Sequence, residues 1–472
     1  MQHGSLPAAL LCIGLAITAA IRPLPAAAAD AEEVRLGLQH WIDDLLSGPG
    51  LGYAVAADGM VVVAATEDGF RATLPAIRVD LSGGAAVAID PIDLTLTAAD
   101  AETYNVDWQL PESVALSGTA GDGRILVASR RGTGLFDPAL GVMRQTHIVL
   151  GGIGLLDGTG GRRLQVESLE LQTAASAGTD GTLDRTTEVQ LRGIATTGGS
   201  EPPIRIASLG YSGSARGLRP AAWRALGESL RPGLAPGERP EPPPVLLSGF
   251  DSRYRADELQ FAVRGQPATL AGASLAVTGT GLDGGHANLS LSLALADGDW
   301  PPAFGLFAAR DAEIELALTG LPSDRLVEAL VAALADAGSP QPELALAMLN
   351  MRLQEAMMTS GAELEIRTLR LASDMAELRV GGTIAPTLAS MWGVVADIEM
   401  TIAGLDALIA EARGAPDDGM ALQQLTLLQA MGAEDTDPAG RPLRRYVLSI
   451  TDSGEVLLNG ADLMPVLVAA TP

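Results

Sequence analysis

Hydrophobic and polar residues alternate along most of this chain, and the period of the alternation tells which element each stretch forms. Val34, Leu38, Trp41, Ile42 and Leu45 recur at helical spacing within 31–47, with acids near the start and Gly48-Pro49-Gly50 behind, which predicts one amphipathic helix. From Gly52 onward the period becomes two. Ile77, Val79 and Leu81 alternate with Arg78 and Asp80, and Ile92, Leu94 and Leu96 alternate with Asp93, Thr95 and Thr97. The same rhythm runs through Val106-Asp107-Trp108, Leu164-Gln165-Val166, Leu169-Glu170-Leu171 and Val189-Gln190-Leu191, with Gly, Asp and Ser clusters between. Such segments read as half-buried antiparallel strands joined by turns. Strands do not alternate with long helices, so a doubly wound parallel sheet is disfavoured.

A short pattern recurs. Ala312–Leu321 reads AEIELALTGL and Ala396–Leu405 reads ADIEMTIAGL, each a strand, then Gly-Leu, then a helix-like stretch. Further copies end at Gly217-Leu218, before AAWRALGESL, and at Gly460, before ADLMPVL. The glycine is expected to supply a left-handed or tight conformation leaving the strand, and the leucine to dock the following helix on the sheet. The fold class expected is α+β, mainly β: elongated twisted antiparallel sheets built from repeated strand-strand-helix units, with helices packed on one face.

The N-terminal run changes the picture of compartment. An apolar stretch from Leu6 to Ile21 is followed by the small residues Ala26 to Ala29, the layout of a secretory signal peptide cleaved after Ala29. The stretch falls short of the roughly 20 residues of a spanning helix, so a periplasmic protein is expected, the alternative being an uncleaved anchor in the inner membrane. Residues 231–245 contain the only long proline-rich segment, RPGLAPGERPEPPP, and divide a helix-plus-strand lobe at 30–230 from a second β-rich lobe at 246–472.

Composition then removes whole classes of chemistry. The single cysteine, Cys12, lies in the leader, so the remainder cannot form disulfides, thiolate metal sites or cysteine nucleophiles. No lysine occurs, which removes Schiff-base chemistry and the phosphate-loop lysine. Net charge is −26, and −27 once the leader with its lone Arg22 is gone, so nucleic acid is not an expected partner. Aromatic residues make up only 3% of the chain, too few for the stacking platforms that bind sugars or single strands.

Individual motifs offer little chemistry. Gly279-Thr-Gly281-Leu-Asp-Gly284 matches a dinucleotide fingerprint, but HANLSLSLALA after it alternates as a strand, so a hairpin turn is expected and no nucleotide. His40, His147 and His286 stand apart without metal-ligand spacing. The acid groups Asp297/Asp299, Asp417/Asp418 and Glu434/Asp435/Asp437 lie in Gly- and Pro-rich surroundings and read as solvated turns rather than glycosidase carboxylates or calcium ligands. No serine occupies a Gly-x-Ser-x-Gly elbow. Residues 343–358 read as a helix carrying Met348, Met351, Met357 and Met358, for which core packing is expected ahead of an adaptable binding groove. No catalytic, cofactor-binding or metal residue is therefore nominated.

The run GYAVAADGMVVVAATEDGFRATLPAIRVDL, Gly52 to Leu81, and the ending RRYVLSITDSGEVLLNGADL, Arg444 to Leu463, resemble segments of alphaproteobacterial periplasmic proteins of the "domain of unknown function 2125" type. That resemblance implies an exported, elongated β-rich fold and carries no catalytic residue. The expectation is a non-enzymatic envelope protein that holds a lipid or other amphiphile along a sheet groove. A structural or protein-interaction module of the envelope is the alternative, and a hydrolase without a recognisable motif ranks third.

Overall fold

The structure, a computed structural model, describes residues 30–46, 53–81, 85–118, 122–178, 181–196, 203–229, 245–301, 308–325, 347–348, 351–352, 355–358, 360–414, 419–438 and 440–463. The leader 1–29 and all of the proline-rich segment except Val245 lie outside them. Two compact units emerge. The first comprises residues 1–254 with Val327–Leu349, and the second Arg255–Leu326 with Asn350–Pro472.

The first unit opens with helix α1, Ala31–Leu46. Asp30 caps it: one carboxylate oxygen accepts from the amides of Glu32 and Glu33 at 3.0 and 2.9 Å, satisfying donors that have no partner within the helix. The predicted apolar stripe is real, with Val34, Leu38 and Ile42 fully buried and Trp41 nearly so.

Eight short strands follow: β1 Tyr53–Asp58, β2 Val62–Thr66, β3 Gly69–Leu74, β4 Ala76–Leu81, β5 Ala85–Ile89, β6 Ile92–Ala98, β7 Tyr104–Trp108 and β8 Ser113–Ser117. Five long ones complete the sheet: β9 Gly123–Asp137, β10 Val142–Asp157, β11 Arg162–Ala177, β12 Leu183–Thr196 and β13 Arg205–Leu218. Strand β9 is a branch point. Its Gly123–Leu126 stretch pairs with β8, its Gly132–Phe136 stretch with β7, and its other edge with β10. Two arms, β8-β5-β4-β1 and β7-β6-β3-β2, thus share one strand. The stripe of α1 joins one continuous core with residues of both arms, including Val79, Val87 and Val114 from one and Phe70, Leu94, Leu96 and Trp108 from the other. At Gly132 a side chain would run into the Trp108 indole, so glycine lets the ring lie across β9.

From β10 to β13 the strands form an antiparallel meander in unbroken order. Across it, Leu150, Leu169, Leu191 and Leu209 form one register row and Ile148, Leu171, Val189 and Tyr211 the next. Burial weakens along the rows, from buried at β10 and β11 to half-buried at β13. Helix α2, Pro220–Ser229, follows β13.

Strand β14, Gly249–Val263, carries the division between the units. The second unit continues with β15 Gln266–Thr280, β16 Ala287–Asp299, β17 Asp311–Leu321, β18 Glu363–Ala372, β19 Glu377–Pro386 and β20 Val394–Ala403. Helices α3 Leu405–Gly414 and α4 Gly419–Met431 come next, then β21 Ala433–Thr436, β22 Pro442–Ile450, β23 Val456–Leu458 and β24 Ala461–Asp462. The order across the sheet is β15-β16-β17-β18-β19-β20-β22, antiparallel throughout.

The chain is mostly strand in a large antiparallel arrangement, as expected, but it is not built from repeated strand-strand-helix units. Long stretches of strands follow one another by turns, and the described helices fall at irregular intervals. What recurs is local. Gly217, Gly320, Gly404 and Gly460 all have positive φ, between 60° and 80°. At Gly404 a side chain would also land on the Met375 carbonyl. Leu321 and Leu405 are buried at the start of the next segment, whereas Gly460 leads into the two-residue strand β24 and not into a helix. There Asn459 and Gly460, both at positive φ, make the hairpin turn that strand twist favours.

Candidate functional site

The second unit presents a two-faced sheet. On one face lie Leu275 and Val277 of β15, Leu289, Leu291, Leu293 and Leu295 of β16, and Ile314, Leu316 and Leu318 of β17, in register with one another. The row Leu293–Ile314–Leu369–Val380–Met400–Tyr446 crosses six strands without a polar break other than the tyrosine hydroxyl. Strand β18 needs a correction in its phase to contribute. Leu364 and Ile366 are followed by Leu369 and Leu371, a spacing of three, and a bulge at Arg367-Thr368 absorbs the extra residue so that all four share the face.

The reverse face is polar and knitted by ion pairs. Arg367 bridges Glu365 at 3.0 Å and Glu315 at 3.3 Å, Arg445 meets Glu399 at 2.9 Å, and the Ser449 hydroxyl donates to Asp397 at 2.7 Å. One end of the sheet is bound likewise: Arg310 joins Asp297 and Asp374, while Glu377 accepts from Arg370 and Arg379. Burial raises the Glu377 carboxyl pKa, but the hydrogen bonds from those two arginines outweigh it and hold the group below its ordinary range.

What sets the apolar face apart is its exposure. Leu289, Leu291, Leu293, Leu295, Ile314, Leu316 and Leu318 are all half-buried rather than buried. Among the described residues the buried cluster on this sheet is confined to the α3 end, where Leu405, Leu408, Ile409, Ala412 and Leu425 pack with Ile402 and Tyr446. The Tyr446 hydroxyl is anchored there by donating to the Leu428 carbonyl at 2.7 Å, and burial raises its pKa. Seven strands at about 4.8 Å spacing make the face about 29 Å wide, and four alternate residues make it about 20 Å long.

In the first unit arginines also lie on the apolar side of the long strands, Arg130 of β9 opposite Leu150 and Arg185 of β12. Arg185 shares its side of β12 with Leu183, Thr187 and Val189, and burial pulls its guanidinium down to about 10, opposed by the nearby Tyr211. Tyr211 in turn stacks at a tilt on Tyr254, with ring centres 4.9 Å apart.

The motifs singled out in the sequence are dispersed. Gly279, Gly281 and Gly284 belong to the β15–β16 hairpin, with the Gly284 amide donating to the Gly281 carbonyl. His147 pairs with Glu170 at 3.0 Å on the outer side of the first unit, His40 lies on α1 and His286 is exposed. Asp297 serves Arg310, Glu434 serves Arg444 and Asp437 serves Arg441, while Asp417 and Asp418 lie outside the described residues. Among the described residues no group of three or more His, Cys, Asp or Glu could hold a metal ion, and no helix is long and apolar enough to cross a membrane. Of the methionine helix, 347–348, 351–352 and 355–358 are described and helical, and Met348 and Met351 are exposed instead of packed in a core.

Periodicity alone missed the loop between β19 and β20. It leaves Leu388 79%, Met391 72% and Trp392 43% exposed. The signal was available as a run from Val380 to Ala396 without a single charged residue, in a chain that is 19% charged.

No protein-family description, no curated protein and no solved structure matches this chain.

Proposed function

We propose that this chain is an exported, non-enzymatic envelope protein that holds a lipid or another long-chain amphiphile against the apolar face of its second unit. The observation that carries the reading is the uninterrupted aliphatic face of β15–β20, whose central leucines are only half-buried. A soluble protein rarely leaves so large an apolar surface without a use for it. Size is compatible: a bilayer's hydrocarbon core is about 30 Å thick, so one chain needs about 15 Å, within the length of the face. The face is built from Leu, Ile and Val with few aromatic or polar groups, which suits a flexible hydrocarbon and offers nothing to orient a polar substrate for chemistry. The layout of residues 1–29 supports export.

A second reading, a structural or assembly module of the envelope, is favoured by the first unit, where the stripe of α1 is buried in one continuous hydrophobic core. Native mass spectrometry of protein purified from the periplasm, with organic extraction of what it carries, separates the two. A stoichiometric amphiphile that is lost in Leu293→Asp and Leu316→Asp variants supports the carrier. A ligand-free mass in protein that was never exposed to detergent overturns it in favour of the module, and recovery of the chain with its N-terminus intact overturns the cleaved leader.

A further inference from the structure

The loop from Thr387 to Gly393 turns the usual arrangement inside out. Its polar groups face inward: Ser390 is 5% exposed, its hydroxyl accepts from the Trp392 amide, and the Thr387 hydroxyl accepts from the Ala389 amide. The backbone closes on itself, with the Thr387 amide donating to the Gly393 carbonyl at 2.9 Å and the Gly393 amide to the Ser390 carbonyl at 3.0 Å. The Trp392 indole N–H donates to the carbonyl of Gly454 at 2.8 Å, tying the loop to the neighbouring 451–455 turn. That turn has its own closure, Gly454 amide to Thr451 carbonyl and Glu455 amide to Thr451 hydroxyl. The result is an ordered projection that holds Leu388, Met391 and Trp392 out in solvent.

We propose that this projection is a membrane-docking loop that inserts Leu388 and Met391 into the interface of a zwitterionic bilayer, with Trp392 at headgroup level. A tryptophan whose ring N–H is bonded and whose body is half-exposed has the amphipathic character that concentrates such residues at membrane interfaces. The patch is too small for a stable protein partner: three side chains, at roughly 150–250 Å² for the largest types, fall short of the about 800 Å² each partner contributes to a standard interface. Charge selects the kind of membrane. The loop is neutral over 380–396, and the adjoining turn brings Asp452 and Glu455, which disfavour an anionic surface. At the opposite end of the same strands lie the ion-paired Arg310, Asp374, Glu377 and Arg379, so the exposed apolar side chains of the loop have no counterpart there. The inference concerns where the protein docks and does not depend on whether the apolar face carries a ligand.

The test uses the protein from Asp30 onward, in which no cysteine remains, with an environment-sensitive fluorophore attached at Leu388→Cys and, as a control, at Met420→Cys, which is equally exposed on α4. On addition of phosphatidylcholine vesicles the probe at 388 is expected to brighten at least twofold and shift to the blue, with the probe at 420 unchanged. Met391→Asp is expected to abolish the response at 388 without altering the circular dichroism spectrum. No response at 388, an equal response at both positions, or a response that requires anionic lipid would each overturn the proposal.

Discussion

The two units solve the problem of an amphipathic sheet in opposite ways. In the first, the branched sheet around β9 receives the apolar stripe of α1, and Val34, Leu38 and Ile42 are fully buried among residues of both arms. In the second, a comparably apolar face is covered at the α3 end and otherwise stays half-buried, while its polar reverse is stitched by arginine–carboxylate pairs. The contrast bears on stability first: a filled core holds a fold together, whereas a partly open one costs stability, and the carrier proposal starts from that difference.

The largest effect that would test this contrast is expected in α1. Leu38→Ala should cost about 2–5 kcal/mol because its cavity lies in a closed core, whereas Leu291→Ala on the open face should cost only about 1 kcal/mol. Hydrogen exchange resolved by segment checks the pair, since equal losses in the two units would erase the distinction. Next comes Gly404→Ala, where positive φ and the Met375 carbonyl together oppose a side chain; a loss of about 1–3 kcal/mol, read as a lower unfolding midpoint of the α3–β22 region, is expected.

Breaking the Asp137 anchor should come close behind. That carboxylate is 3% exposed, takes both Arg144 donors and the Leu140 amide, and holds the β9–β10 turn over α1. Arg144→Met leaves it buried with one partner, and a cost of about 1–3 kcal/mol in urea unfolding is expected.

The smallest effect concerns pH. Asp157 accepts from the hydroxyl and amide of Thr159, the Gly161 amide and Arg163, and these bonds lower its pKa to about 2. A lowered folded-state pKa means its stabilisation is present above the ordinary carboxylate value near 3.8 and is lost as pH falls toward 2. Asp157→Asn should remove that part of the acid sensitivity of the β10–β11 turn, and an unchanged exchange profile for 158–161 between pH 4 and pH 2 in both proteins would contradict it.

The amino-acid sequence by itself determined the elements: period-two runs became strands, the stripe from Val34 became a capped helix, the false dinucleotide motif became a hairpin, and the recurring glycine became a left-handed exit from a strand. These are legible because pleat, helical pitch and φ are properties of a few adjacent residues. The tertiary structure alone decided that β9 serves two arms at once, that a bulge brings Leu369 and Leu371 onto the face of Leu364, and that the leucines of β16 stay half-open while Leu169 and Leu171 of β11 are sealed. It also decided that the similar Gly-Leu segments do not make a repeated unit. The physical reason is that a residue's pattern states which way it points, whereas its burial depends on what distant part of the chain arrives to cover it.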